Sequence, residues 1–112
     1  MTAEWQPISE AKFRILMTDQ VSRLDDDLRP AWERYGLSSP VQIQCLRSNS
    51  DGSPAEPEPM FCVARDGARV LIYDDVEEDF GTGVLDADGV LRGWGAYGEE
   101  LGWSLRPFVE GH

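Results

Sequence analysis

Between Phe13 and Leu24 the apolar residues Phe13, Leu16, Met17, Val21 and Leu24 recur every three or four positions, with polar residues in the gaps. That spacing lays one stripe along a cylinder and predicts an amphipathic helix over 10–24. Ser9 stands where an N-cap is needed, and Glu10 puts a carboxylate in the first turn. Ile8 and Phe13 flank the cap with the spacing of a hydrophobic staple. The run Asp25-Asp26-Asp27 then breaks the stripe. Asp27 is expected to cap a second helix that has Pro30 in its first turn and Gly36 as its stop. Leu28, Ala31, Trp32 and Tyr35 form the apolar face of that helix, so the first two elements read as a helical hairpin.

After Pro40 the period falls to two. Val41, Ile43 and Cys45 alternate with Gln42 and Gln44, which predicts a strand with one wet face. Residues 1–7 read as an arm with Trp5 as its anchor. Residues 48–59, rich in Pro and Ser and without a large apolar side chain, read as a flexible surface loop. Met60–Arg65 and Ala68–Asp74 flank Asp66-Gly67, a strong hairpin signal. A two-residue turn there sets Val63 opposite Val70 and Phe61 opposite Ile72 on one side. It sets Cys62 opposite Leu71 and Met60 opposite Tyr73 on the other. Both sides are apolar, so both have to be covered.

The acidic connection Asp74–Asp79 leads into a strand from Phe80 to Leu85, Asp86–Gly89 turns the chain, and Val90–Tyr97 returns as a last strand. Trp94 is expected to lie over Gly81, restoring packing that a glycine lacks. Glu99–Leu105 predicts a short helix ended by Pro107. The expected fold is α+β and one domain over 1–112. Its N-terminal helical hairpin packs on one face of a four- to five-stranded antiparallel meander. The C-terminal aromatic segment, with its short helix, covers part of the other face.

Composition changes this picture in two places. An apolar fraction of 41% and four tryptophans supply a core without disulfides or metal, so the chain is not read as disordered despite its acidity. Its 21 acids against 10 bases give a formal net charge of −11. Such a surface repels phosphate backbones and anionic lipid, so neither nucleic acid nor membrane is an expected partner. It attracts basic protein surfaces and speeds encounters with them. Cys45 and Cys62 read as buried reduced thiols on neighbouring strands, with a bridge between them as the alternative. With no basic and long apolar stretch at the start of the chain, they predict a cytoplasmic setting.

Candidate chemistry is sparse. His112 is the only histidine and the final residue, which removes histidine acid–base, nucleophile-pair and metal-ligand arrangements from the folded body. Asp74 and Asp75, after an apolar strand, are the best-placed carboxylates for acid–base work, but ending that strand with charge explains them. Asp86-Ala87-Asp88-Gly89 carries only a fragment of a calcium-loop pattern, and a plain turn accounts for it. Gly81-Thr82-Gly83 follows an acidic run and precedes no helix, which argues against a phosphate site.

The leading expectation is a non-catalytic protein-binding module without a cofactor, such as an inhibitor or immunity-type partner of a basic protein. Asp75, Glu77, Glu78 and Asp79 would steer that partner, and Trp94, Tyr97 and Trp103 would anchor it. The alternatives are a small-molecule or cation-binding domain and, behind it, a small hydrolase-type enzyme using its acids. A symmetric homodimer closing the second apolar face is a further expectation.

Overall fold

The computed structural model of the chain describes residues 8–46 and 57–111. The arm over 1–7 and most of the loop read over 48–59 lie outside those residues. Helix α1 spans Glu10–Ser22, a 3₁₀ turn Asp26–Leu28 and helix α2 Arg29–Tyr35. Strands follow at Gly36–Leu46 (β1), Pro57–Asp66 (β2), Arg69–Asp74 (β3), Asp79–Val84 (β4), Val90–Leu91 (β5) and Gly95–Gly98 (β6). Helix α3, Leu101–Glu110, closes the order. No helix among the described residues is long and apolar enough to cross a membrane.

The cap and stripe of α1 form as their residue types dictate. Ser9 Oγ accepts from the Lys12 amide at 3.2 Å. Ile8, Leu16, Met17 and Val21 pack against a core containing Phe13, Leu24 and Leu28. Asp27 does not cap α2. Leu28 holds the cap position, and Asp27 instead takes Arg106 of α3 through Oδ2 at 2.9 Å and Oδ1 at 3.3 Å. A two-pronged guanidinium–carboxylate contact is stronger than a capping bond to a neutral amide.

That contact gives the fold an acid-sensitive joint. The Arg106 hydrogen bond holds the Asp27 carboxyl below its ordinary value of 3.8, and the Val90 amide, followed by Arg92, does the same for Asp86. A carboxylate lowered on folding contributes stability above its unfolded pKa and loses it as pH falls through the folded one. Asp27→Asn is therefore expected to be less stable than the parent at neutral pH. It should lose less stability than the parent between about pH 5 and pH 3, as urea titrations at each pH would measure.

Beyond β1 the sheet departs from a meander. It has six strands in the order β5-β1-β2-β3-β4-β6 and is mixed, because β5 runs parallel to β1 through Gln44–Val90 and Cys45–Leu91. Leu85, just past β4, bridges Leu91, so the sheet curls until β4 and β1 share β5. The segment expected as one strand over 90–97 is thus two strands. Leu91 enters the space inside the curl, and Gly95–Gly98 returns along β4.

The β2–β3 hairpin forms with a shifted register. Asp66 pairs with Arg69 across a Gly67-Ala68 turn, Gly67 holding φ +61. An irregularity at Val63 then sets Cys62 opposite Ile72 and Phe61 opposite Tyr73. The expected pairs of Val63 with Val70, Phe61 with Ile72, Cys62 with Leu71 and Met60 with Tyr73 do not form. The extra residue regroups the faces: Phe61, Val63, Leu71 and Tyr73 look to the helices, and Met60, Cys62, Val70 and Ile72 look into the curl.

Both faces of this hairpin are buried, as the pattern requires. The covering differs from expectation. Leu101, Leu105 and Phe108 place α3 in the same layer as α1 and the 3₁₀ turn, not on the opposite face. The second face is closed from within the chain by Cys45, Leu85 and Leu91, with Leu37, Ile43 and Trp94 packed against them. That face no longer calls for a second copy of the chain. Cys45 and Cys62 form no disulfide and are buried in this second core. They face Glu58 and Val41 across the β1–β2 ladder, an offset of roughly 13 Å along the strands, beyond the reach of a disulfide.

Pro107 lies inside α3 instead of ending it. The ring removes only the bond to the Trp103 carbonyl, on a turn whose side chain is 57% exposed. Arg69 secures the far end, with Nη2 on the Phe108 carbonyl at 2.9 Å and Nη1 on that of Gly111 at 3.1 Å. A cation at a helix C-terminus meets the negative end of the dipole.

Candidate functional site

Two clefts border β6, the last strand of the sheet, and a third adjoins one of them. Gly95, Ala96 and Tyr97 of that strand are exposed. One cleft, of about 380 Å³, lies between Leu46 at the end of β1 and Gly93, Trp94 and Ala96, with Asp74, Glu77 and Asp79 on its rim. A second, of about 730 Å³, is walled by Tyr97, Trp103 and Pro107 on one side and by Gln20, Arg23 and Asp25 on the other. The third, of about 410 Å³, holds Glu78, Glu99 and Glu100 and shares Glu100 and Arg23 with the second.

The expected contact residues therefore gather around one strand but on both of its faces. Trp94, Glu77 and Asp79 share the first cleft, Tyr97 and Trp103 the second, and Glu78 stands in the third. Trp94 is half-buried, and its ring lies over Gly81 as expected, although Gly81 itself pairs with Ala96. Trp103 lies against Gly98, whose φ of +112 and crowded Cα admit no other residue without strain. Trp103 and Tyr97 remain 57% and 45% exposed, a large apolar area to leave in water beside polar neighbours.

Asp75 stands apart. Its Oδ2 accepts from the Ile8 amide at 2.8 Å, so it fastens the entry to α1. Asp74 is buried, and its Oδ1 accepts from the amides of Val76 and Glu77 at 3.1 and 3.4 Å, shaping the β3–β4 turn. The two carboxylates best placed for acid–base work are thus engaged with backbone amides. Asp86 is similarly engaged: Oδ1 accepts from Asp88 and Val90, and Oδ2 from Arg92. Among the described residues no group of three or more acids, cysteines or histidines is placed to hold a metal ion.

The β3–β4 turn projects a concentrated negative field. The Tyr73 phenol beneath it is pushed up to about 12, first by burial and then by Glu78, Asp75, Asp79 and Asp74. In contrast, Cys62 is pushed to about 11 by burial, its Sγ donating to the Ala64 carbonyl. A thiol so raised is a poor nucleophile at neutral pH.

Sequence reasoning missed Glu99, Glu100 and the backbone of Gly95 and Ala96. The two acids were assigned to a helix that in fact begins at Leu101. They follow Gly98, which pairs with Phe80 next to the acidic turn, so the ladder merges two acidic runs that lie apart in the chain. Compared with family models, with curated proteins and with solved structures, the chain gives no match in any of the three.

Proposed function

We propose that this chain is a non-catalytic binding module for a basic protein, with the surroundings of β6 as its contact surface. The observation that carries the reading is the exposure of Tyr97 and Trp103 in a cleft with Glu100, which also lines the adjoining cleft of Glu78 and Glu99. Large amphipathic rings supply contact area at little entropic cost, and Trp and Tyr dominate binding energy at interfaces. Excess negative charge beside them steers a positive surface and discourages a negative one. An inhibitor of a basic enzyme is one form such a module takes.

Glu77, Glu78 and Glu99 are exposed and carry the steering role, whereas Asp74 and Asp75 hold backbone and are left intact. The triple variant Glu77→Gln, Glu78→Gln, Glu99→Gln is expected to fold. It should bind a protein captured by the parent with an association rate roughly tenfold lower at low salt. The dependence of that rate on ionic strength should flatten with it. Stopped-flow or surface-based kinetics across a salt series measure both, and an unchanged on-rate would remove the acidic patch from the interaction.

A further inference from the structure

The curl leaves the sheet with two free edges that differ in how far they are blunted. Along β1 only Gln44 and Cys45 pair with β5, and the rest of that edge carries Pro40 and a broken register between Gly36 and Val41. Proline and bulges are the features by which proteins blunt an edge against added strands. β6 has neither. Its sequence, Gly95-Ala96-Tyr97-Gly98, contains no proline and no charge, and no described strand lies beyond it. Gly95, Ala96 and Tyr97 are exposed, so the outer side of this strand is accessible.

We infer that the basic partner docks through an extended segment that pairs with β6 as an added strand. The inference rests on the basic-partner reading above and specifies its geometry. An added strand satisfies backbone amides and carbonyls that an edge leaves to water, and its side chains point alternately to the two faces. Both faces of β6 are prepared for them. One set of guest side chains meets Trp94 and Ala96 with Glu77 at the rim, and the other meets Tyr97 and Trp103 with Glu100, which Arg23 pairs at 3.2 Å, nearby. Aromatic surface next to carboxylates fits the stem and head of arginine or lysine, through stacking and charge together. β6 is four residues long, so ladder bonds alone would bind weakly, and the clefts have to supply the selectivity.

The test uses the full chain and three short synthetic peptides: alternating arginine and valine, the same peptide with a central proline, and alternating glutamate and valine. Tryptophan fluorescence measures affinity across a salt series, and amide hydrogen exchange locates the contact. The expected result is salt-sensitive binding of the arginine peptide, with exchange at Gly95–Gly98 slowed about tenfold or more. The proline version should bind at least about tenfold more weakly, because it keeps the charge but cannot complete the ladder. Equal affinity for the two basic peptides, or protection that falls on Gly36–Ile43, overturns strand addition and leaves the basic-partner reading standing. Equal binding of the glutamate peptide, or no binding by any of the three, overturns both. Protection of Gly95–Gly98 in the chain alone, rising with protein concentration, would identify a second copy as the occupant and also overturn the proposal.

Discussion

Replacing Phe13 with alanine should cost about 3–5 kcal/mol, the range for emptying a large aromatic from a closed core. Phe13 is the only fully buried side chain of α1, so nearly all of that helix's anchorage passes through it. Its ring stacks on Phe61 with centroids 4.3 Å apart and planes 7° from parallel, and meets Tyr73 at 5.3 Å. Tyr73 in turn meets Phe80 at 5.0 Å, so the cavity would open beneath a chain of rings spanning three strands. Against a total stability of order 5–15 kcal/mol, the loss is about a fifth or more. The guanidinium midpoint should fall with the slope unchanged, and the melting temperature should drop by roughly 10–20 °C. Phe13→Leu, which retains most of the volume, should cost about 1–1.5 kcal/mol. An alanine variant losing less than about 1 kcal/mol would mean that α1 is not held by this ring.

The second large effect is expected at Gly81. A Cβ there would sit 2.6 Å from the Gly95 carbonyl oxygen and 2.9 Å from Trp94 Cδ1. The oxygen belongs to the neighbouring strand and can yield only by moving that strand. Gly81→Val should therefore cost about 3 kcal/mol, the upper end of the overpacking range, and lift β6 from β4. The emission of Trp94 should shift to the red, and amides of Gly95–Gly98 should exchange faster than those of β2 and β3. Gly93→Ala is the control: nothing lies within 4 Å of its added carbon, so the change should stay within about 0.5 kcal/mol. If β6 is the docking edge, Gly81→Val abolishes partner binding although it substitutes none of the proposed contact residues.

The elements that could be read from the sequence are those set by local chemistry. The cap at Ser9, the stripe from Phe13 to Leu24 and the hairpin near Gly67 need only neighbours in the chain. The fully buried hairpin was also readable, since a strand apolar on both sides has no other stable setting. What failed depends on partners distant in sequence. Asp27 looks like a cap until Arg106, 79 positions on, offers a better bond. Val90–Tyr97 looks like one strand until the second core, which β1 and β2 leave open, draws Leu91 inward. The register slip at Val63 has no local signature, and it exchanges the faces of every pair beyond it.

The candidate surface shows the same division. Acid and aromatic residues were identifiable by type, and the alternation of β6 then divided them between two faces. Asp75 could not be separated from Glu77 and Glu78 by type, because its bond to the Ile8 amide joins positions 67 apart. The open edge is a property of strand order alone. No side chain announces it.

The Leu85–Leu91 bridge and the parallel pairing of β5 with β1 also bear on how the chain is made. β1, β2 and β3 leave the ribosome before the residues that complete the cover on either side of them, because Leu85, Leu91, Leu101 and Phe108 come afterwards and only the helical side has an earlier contributor in Phe13, Leu24 and Leu28. For that interval the nascent polypeptide presents Met60 and Ile72 without the Leu85 and Leu91 that close their face, a state prone to misassembly. Completion then comes late and all together, when the final quarter of the chain folds back over segments synthesised long before it.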